Sequence, residues 1–408
     1  MPRPTPSQVQ IVIIGGGVMG TALAFHLAEL GVTDVALIER GQLGCGTSWH
    51  AAGNIPLMDH SPAIIELNYY ASKLYESFHQ EKAIGWRRCG RVMVARTSER
   101  LREFQRLVSN ATSVGIEAYI ISPSEVREKL PLFRTDDIIG ALWSPLDGRV
   151  NPTDLIMTYA RKARDKDIQI LEDTTAGRVN TQNGAVKSVS TNRGDIHCET
   201  VVNCCGLWAR QLAIDTGISI PIYPVEHFYA LTETVEGVTP EMPSFRDPDG
   251  LIYGREEVGG LLVGCFDRNA KPIAPSELPD KFYFSLLNED WEQFGPYMTE
   301  GIHRIPSLSN VGIRSLLNGP EGFTPDAHPI LSDSPNLKGY FILAGMSSAG
   351  ILRSAGLSRA LANWIVNGDA LIDLSPFLLD RFTAQQNNEK WLREHIRHVP
   401  SGYLSGEY

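Results

Sequence analysis

The sequence predicts an α/β chain of two domains, one on a parallel sheet with covering helices and one of α+β type on an antiparallel sheet. Three observations carry this. A strand, glycine turn, helix and strand open the chain at 11–38. The β-α-β rhythm returns at 147–171 and again at 200–210. Between 220 and 273, short strand-like runs alternate with Pro and Asp-Gly turns. A length of 408 residues suits two or three domains. The net charge of −10 leaves no basic footprint for nucleic acid or anionic lipid.

Residues 11–14, IVII, are apolar throughout and read as a buried strand. Gly15, Gly17 and Gly20 follow with the spacing G-x-G-x-x-G at a helix start. The first glycine permits a tight turn, the second lets a pyrophosphate approach the backbone, and the third lets helix and sheet pack closely. Free N–H groups at that helix start, around Val18 and Met19, form an anion site. A second strand at 34–38 ends in Glu39, about 20 residues beyond the glycines, where an acid accepts hydrogen bonds from ribose hydroxyls. This is a Rossmann-type dinucleotide unit. FAD and NAD share the fingerprint, which does not choose between them.

Further along, 63–80 reads as a helix with several aromatic residues, and 86–95 as a strand leading into a second region. Leu101, Phe104, Leu107, Val108 and Ala111 recur at helical spacing within 98–114, and 122–130 opens with the Ser-Pro-acid pattern of a helix start. The first domain resumes at Asp147, with a helix from near Pro152 and a strand at 168–171. Residues 176–191 alternate around Asn183-Gly184, a type I′ hairpin signal. A buried strand at 200–204 precedes a helix start at Gly206, and the strand-rich stretch begins after Ile220. Trp291, Phe294, Tyr297 and Met298 form an apolar helical stripe, read as core. The glycines and prolines of 314–331 predict a fixed loop. A strand at 339–344 then runs through a Gly-Ser turn into a long helix, and a last helix spans 387–399. His395 and His398 have no further ligand beside them, so no metal is expected.

Residues 43–53, LGCGTSWHAAG, resemble the segment after the ribose-binding acid in the dimethylglycine and sarcosine dehydrogenase family, flavoenzymes of the D-amino-acid oxidase superfold. More motifs of that family follow in order: VVN-x-x-GLWAR from 201, P-x-E-H-x-Y-x-x-T from 224, P-x-x-R-D from 243, Y-x-R-E from 253, and NGP-x-x-(F/Y)TPD-x-x-P from 318. The resemblance spans nearly the whole chain. It implies FAD, attached covalently through its 8α carbon to the histidine matching His50; the alternative is a histidine that lines the flavin pocket without a bond.

The expected cofactor residues are Gly15, Gly17, Val18, Met19, Gly20, Glu39, Arg40, Thr47, Ser48, His50, Val179, Gly206 and Trp208. Gly345, Ser347, Gly350 and Ile351 complete them, at a helix start aimed at the flavin's pyrimidine edge, where it would stabilise the charge that gathers on reduction. Thr324 and Asp326 offer polar groups there too. In the family the histidine and tyrosine matching His227 and Tyr253 face the substrate amine, and these are the expected catalytic pair. An imidazole can help hold an amine neutral, and a phenol can donate a hydrogen bond or steer a proton through water. Arg255 and Arg314 are available cations that the sequence does not assign.

The resemblance implies a cofactor domain at 1–85, 146–219 and 326–380, a substrate domain at 86–145 and 220–325, and a helical tail at 381–408. It also implies oxidation of an N-methylated amino acid or related amine by hydride transfer to flavin N5, followed by hydrolysis of the iminium. Two departures stand out. Many members continue into a folate-binding module, whereas this chain stops at Tyr408, so free formaldehyde is expected. Ser332 stands where relatives commonly have glycine, which predicts a slightly different cofactor loop. A non-catalytic regulatory flavoprotein, or an oxidase of a hydroxy acid or cyclic amino acid, stays open. So do the electron acceptor, molecular oxygen or an electron-transfer flavoprotein, and the oligomeric state. The six cysteines include no C-x-x-C pair, and neither a secretory signal nor a membrane-length apolar run is present, so a soluble cytoplasmic bacterial protein with reduced thiols is expected.

Overall fold

The structure is a computed structural model that describes residues 4–82 and 84–405, without the side chains of 403–405. The first three residues of the N-terminal tail and the last three of the C-terminal tail lie outside the described residues. The fold rests on two large sheets. In the first, the strand Ile11–Ile14 sits between Val35–Ile38 and Thr200–Asn203, all parallel. Leu337–Ala344 lies beyond Thr200–Asn203, and Gln169–Leu171 beyond Val35–Ile38. The central strands Ile11–Ile14 and Val35–Ile38 are buried on both faces, which is why they read as unbroken apolar runs. The expected hairpin forms as Ala176–Gln182 and Ala185–Thr191, with Asn183 and Gly184 both at positive φ.

The helix after the glycines, Val18–Glu29, is buried from Val18 to Ala28 because it lies between the sheet and the helices Pro152–Arg164 and Gly350–Asn367. Gly20 allows that approach: a Cβ there would stand 1.9 Å from the Gly15 carbonyl oxygen. The helix Ser98–Ser113 buries Phe104, Leu107 and Ala111, as its spacing requires, and the Ser122 and Glu125 capping box starts the helix Pro123–Lys129.

The second sheet has eight strands in the order Ile313–Phe323, Tyr223–Thr232, Gly260–Cys265, Ile252–Glu257, Ser244–Asp247, Arg91–Ala95, Gly140–Ser144 and Tyr119–Ile121. It is antiparallel except where Ser244–Asp247 meets Arg91–Ala95 in parallel, the seam between two distant chain segments. One face packs Phe228, Phe245, Val92 and Val263 against Phe294 and Met298 of the helix Trp291–Arg304. Alternation sends Tyr229, Tyr253 and Leu262 to the other face.

Four expectations need correction. The strand expected from 86 begins at Arg91, because Gly90 turns at φ 71 beneath the Trp143 ring. Residues 314–331 are mostly strand rather than loop: Ile313–Phe323 is an edge strand, where Pro320 needs no amide for a ladder. Trp291 leaves the apolar stripe, 42% exposed at the first helical position, its Nε1 donating to Glu289. Ser332 sits within the strand Ile330–Ser334, bonded to Asp333 and Leu379, and so does not shape a cofactor loop. Among the described residues no helix is long and apolar enough to cross a membrane.

Burial lowers the pKa of His26, on the first helix, from 6.5 to about 4. The unfolded chain therefore takes up the proton first as pH falls. Stability is full above about pH 6.5 and drops between there and about pH 4, by up to about 3 kcal/mol from this residue. Denaturant titrations across that window should show a shallower slope for His26→Gln; an unchanged slope would contradict the assignment.

Candidate active site

A cavity of about 420 Å³ opens at the carboxyl ends of the parallel strands. Gly15, Gly17, Val18 and Met19 line it at the helix start, with Glu39, Arg40, Thr47 and Ser48 on one side, Gly206 and Trp208 on another, and Gly345, Ser347, Gly350 and Ile351 at its far end. The helix start carries no side-chain cap and no acid in its first turn, so its electropositive end faces the cavity. Two amides there are not free: Gly16 N–H donates to Glu39 Oε2 (2.7 Å) and Val18 N–H to Ser48 Oγ (3.2 Å). Glu39 also accepts from Gly41 N–H (3.0 Å), which fixes its carboxylate at the strand end with lone pairs to spare for hydroxyl groups. The Arg40 guanidinium stacks 4.0 Å from the Trp208 ring and 5.4 Å from that of Tyr283, a flat cationic platform at the rim. At the other end the turn before Gly350 holds Gly345, Ser347 and Ser348 at positive φ, a strained bend that brings the N-terminus of the helix Gly350–Asn367 to the cavity.

A second, smaller cavity of about 80 Å³ adjoins the first, with Ala51, Glu321, Ser348 and Ile351 common to both linings. His50, His227 and Tyr253 line it, so residues far apart in sequence meet here. The antiparallel wall grips the His50 segment at two points: Tyr229 OH donates to the His50 carbonyl (2.9 Å) and Arg255 Nε to that of Ala52 (2.7 Å). That is the task of Arg255, while Arg314 lies exposed on the strand Ile313–Phe323. Gly319 makes room for the imidazole, since a Cβ there would stand 2.4 Å from His50 Cε1. Gly264 does the same for Tyr253, 2.2 Å from its Cζ.

Burial lowers the His50 pKa to about 4, with Glu321 opposing and His227 adding to the shift, so the ring is neutral near pH 7. Its buried Nε2 has no hydrogen-bond partner among the described residues, and neither has Nε2 of His227. Burial, and then Glu321, push the Tyr253 phenol well above the usual tyrosine range; it stays protonated and serves as a hydrogen-bond donor and acceptor rather than as a phenolate base. Phe266 packs edge-on against His227 at 4.9 Å and closes the apolar side.

The expected residues thus divide. Gly20 lies beneath the large cavity as a packing glycine, and His50 lines the small one. Val179 is corrected: it is 2% exposed in the core under the sheet, paired with Val189, and the backbone that reaches the cavity is Thr174 to Gly177 just before it. Thr324 and Asp326 are corrected as well. Thr324 Oγ1 donates to His328 O (2.8 Å) and Asp326 pairs with Arg381 (2.7 Å), so they secure their own turn rather than line a cavity. Sequence reasoning missed Tyr229, although it lies two residues from His227 on the same strand face. It also missed Glu321 and Arg246, whose motifs were in view without their direction, and Arg91, which lay within the strand expected from 86.

The large cavity fits a flavin dinucleotide, given a glycine-lined helix start, an acid at the second strand's end and a cationic aromatic platform. The sequence matches the family described as FAD dependent oxidoreductase over residues 10–364. The chain belongs to that family. FAD is the cofactor of FAD dependent oxidoreductases, and within them this chain is similar to several curated proteins. It is 38% identical to a mitochondrial pyruvate dehydrogenase phosphatase regulatory subunit of Mus musculus, over 97% of this chain and 45% of that one. Identity is 35% to the mitochondrial sarcosine dehydrogenase of Homo sapiens (96% and 43%) and 34% to the 4-methylaminobutanoate oxidase (formaldehyde-forming) of Paenarthrobacter nicotinovorans (97% and 48%). The chain spans less than half the length of each of these relatives. Among solved structures, L-proline dehydrogenase from P. horikoshii superposes with a TM-score of 0.81 at 25% identity, covering 90% of this chain and 95% of that one.

The two kinds of glycine predict opposite outcomes. Gly264→Ala should cost roughly 1–3 kcal/mol through overpacking against Tyr253. Gly295→Ala, mid-helix with nothing beyond its chain neighbours within 4 Å of its Cβ, should gain at most roughly 0.5–1 kcal/mol, reduced by the contact of the new methyl with the Pro296 ring. Denaturation of both variants checks the contrast.

Proposed function

We propose that this chain carries out FAD-dependent oxidative demethylation of an N-methylated amino acid or a closely related amine, and that it releases formaldehyde. The observation that carries this reading is the small cavity joined to the cofactor cavity, with His227 and Tyr253 in its wall. Bound FAD supplies a two-electron acceptor for the hydride on the carbon beside the amine nitrogen. The chain's residues then have distinct tasks. His227 holds the amine in its neutral form, whose lone pair supports hydride departure. Tyr253, protonated throughout, donates a hydrogen bond or relays a proton through water. Ile351, Leu352 and Phe266 keep bulk water from the reacting carbon. Water adds to the resulting iminium, and the carbinolamine breaks down to formaldehyde and the demethylated amine.

His50, neutral and with an unpartnered nitrogen, is suited to form a bond to the flavin's 8α carbon. The same reading divides the chain into cofactor segments 1–85, 146–219 and 326–380 and substrate segments 86–145 and 220–325, with a tail beyond. The similarity to a formaldehyde-forming oxidase supports free formaldehyde as product. The similarity to a phosphatase regulatory subunit supports a second, non-catalytic reading.

Anaerobic mixing with dimethylglycine, sarcosine and longer N-methyl amino acids should bleach the flavin with at least one of them. No bleaching with any would leave the non-catalytic reading. His227→Gln and Tyr253→Phe should each slow reduction by about 10²-fold or more. Acid-precipitated protein should stay yellow and that of His50→Ala should not; a colourless wild-type pellet would refute the covalent bond.

A further inference from the structure

The small cavity contains two cations to which the reaction above gives no task. Arg91, 4% exposed, and the half-buried Arg246 both line it. They come from distant segments brought together by the parallel seam, where Arg91 is level with Ser244 and Met93 with Arg246. Strand spacing and rise put their Cα atoms roughly 8 Å apart. Tyr253 stands opposite Arg246 on the next strand, and Gly264 and Tyr229 continue the same cross-strand row.

Arg91 is held from behind. Its Nε donates to Ser244 Oγ (3.2 Å) and lies 3.8 Å from Asp147, a buried carboxylate that is not part of the cavity lining. Neither Nη of Arg91 has a hydrogen bond among the described residues. Arg246 is anchored through its neighbour. Alternation sends Asp247 to the opposite face, where Arg96 (2.7 Å) and Arg304 (2.9 Å) pair with it, and Arg96 follows directly on the strand that carries Arg91. The anionic and basic groups, Glu321, His50 and His227, are also in the lining, with Glu321 at the border of the cofactor cavity.

We propose that Arg91 and Arg246 clamp the carboxylate of the substrate, so that the site takes an N-methyl amino acid as a carboxylate-bearing molecule rather than a simple alkylamine. This rests on the reading of the small cavity as the substrate site. A guanidinium fork matches a carboxylate with two parallel hydrogen bonds, and a site that excludes water strengthens them. The clamp orients the molecule, with its nitrogen and N-methyl group directed to the Glu321 side where the two cavities meet.

The test uses holoenzyme and methoxyacetate, a carboxylate without nitrogen that cannot be demethylated through an iminium. Its binding is read from the shift of the flavin spectrum, with 2-methoxyethanol as the uncharged control. Wild type should bind methoxyacetate and not the alcohol. Arg91→Met and Arg246→Met should each weaken binding by roughly 10- to 100-fold, with partial recovery in Arg91→Lys. Arg91→Met leaves Asp147 buried without its cation, so Arg91→Met with Asp147→Asn is the variant that keeps charge balance. It should retain flavin and thermal stability and still lose methoxyacetate. Equal binding of acid and alcohol by wild type, or methoxyacetate affinity within about 3-fold of wild type in the balanced variant, would overturn the clamp. Its failure is separable from failure of the demethylation reading. Bleaching by N-methyl amines with methoxyacetate indifferent to the arginines removes only the clamp, and arginine-dependent methoxyacetate binding without bleaching by any amine removes only the chemistry.

Discussion

The site depends on one contact above others, the seating of the His50 to Ala52 backbone against the antiparallel wall. Two wall side chains hold two carbonyls of this segment, Tyr229 that of His50 and Arg255 that of Ala52. Both donors lie on the wall's cavity face, and the segment they hold descends from the helix and acid that form the cofactor cavity. Ala51, caught between them, belongs to both linings. The contact works only because the wall is thinned there. Gly319 leaves space for the imidazole, so a glycine sets how near the His50 segment approaches the wall, while Gly264 lets the phenol lie flat across its own sheet.

Burial at this junction sets protonation as well as shape. His50 loses its proton because a charge in that position would be poorly solvated, while Tyr253 keeps its own for the same reason. One cause thus yields a neutral base and a neutral acid side by side, with Glu321 as the acid that biases both. On the wall's other face the charges are paired among themselves: Asp247 and Arg304, both fully buried, meet each other and Arg96. Removing one member would leave an unpaired buried charge, which is why such a network fixes strand positions even where its net stabilisation is small.

Much of the cofactor side was legible in the sequence, because its residues are contiguous and bound to local geometry. The strand Ile11–Ile14, the glycine turn, the helix and Glu39 follow from spacing alone, and so does the hairpin at Asn183-Gly184. What failed was direction. Val179 was on the correct hairpin but on its core face, and the cavity is met by the residues leading into the strand, a distinction that pattern does not register. The stretch from Ile313 looked like a loop because glycine and proline are turn residues, yet at a sheet edge neither breaks the ladder. Thr324 and Asp326 resembled ligand-facing polar groups, and their partners proved to be His328 and Arg381, the latter 55 residues beyond Asp326.

The substrate side was least legible for a topological reason. Its wall joins two segments 153 residues apart in sequence, and they meet in one parallel pairing, Ser244–Asp247 with Arg91–Ala95. A hairpin can be read from its turn, but a parallel pairing between remote segments has no local signature. Arg91 is therefore unremarkable in sequence, one basic residue opening a short apolar strand, and Arg246 stands in the P-x-x-R-D motif without any sign of the face it takes. Only the register places them on one face beside Tyr253. Since this fold hosts many chemistries, what distinguishes one member from another lies in such cross-segment rows rather than in the glycine motif that dinucleotide-binding chains share.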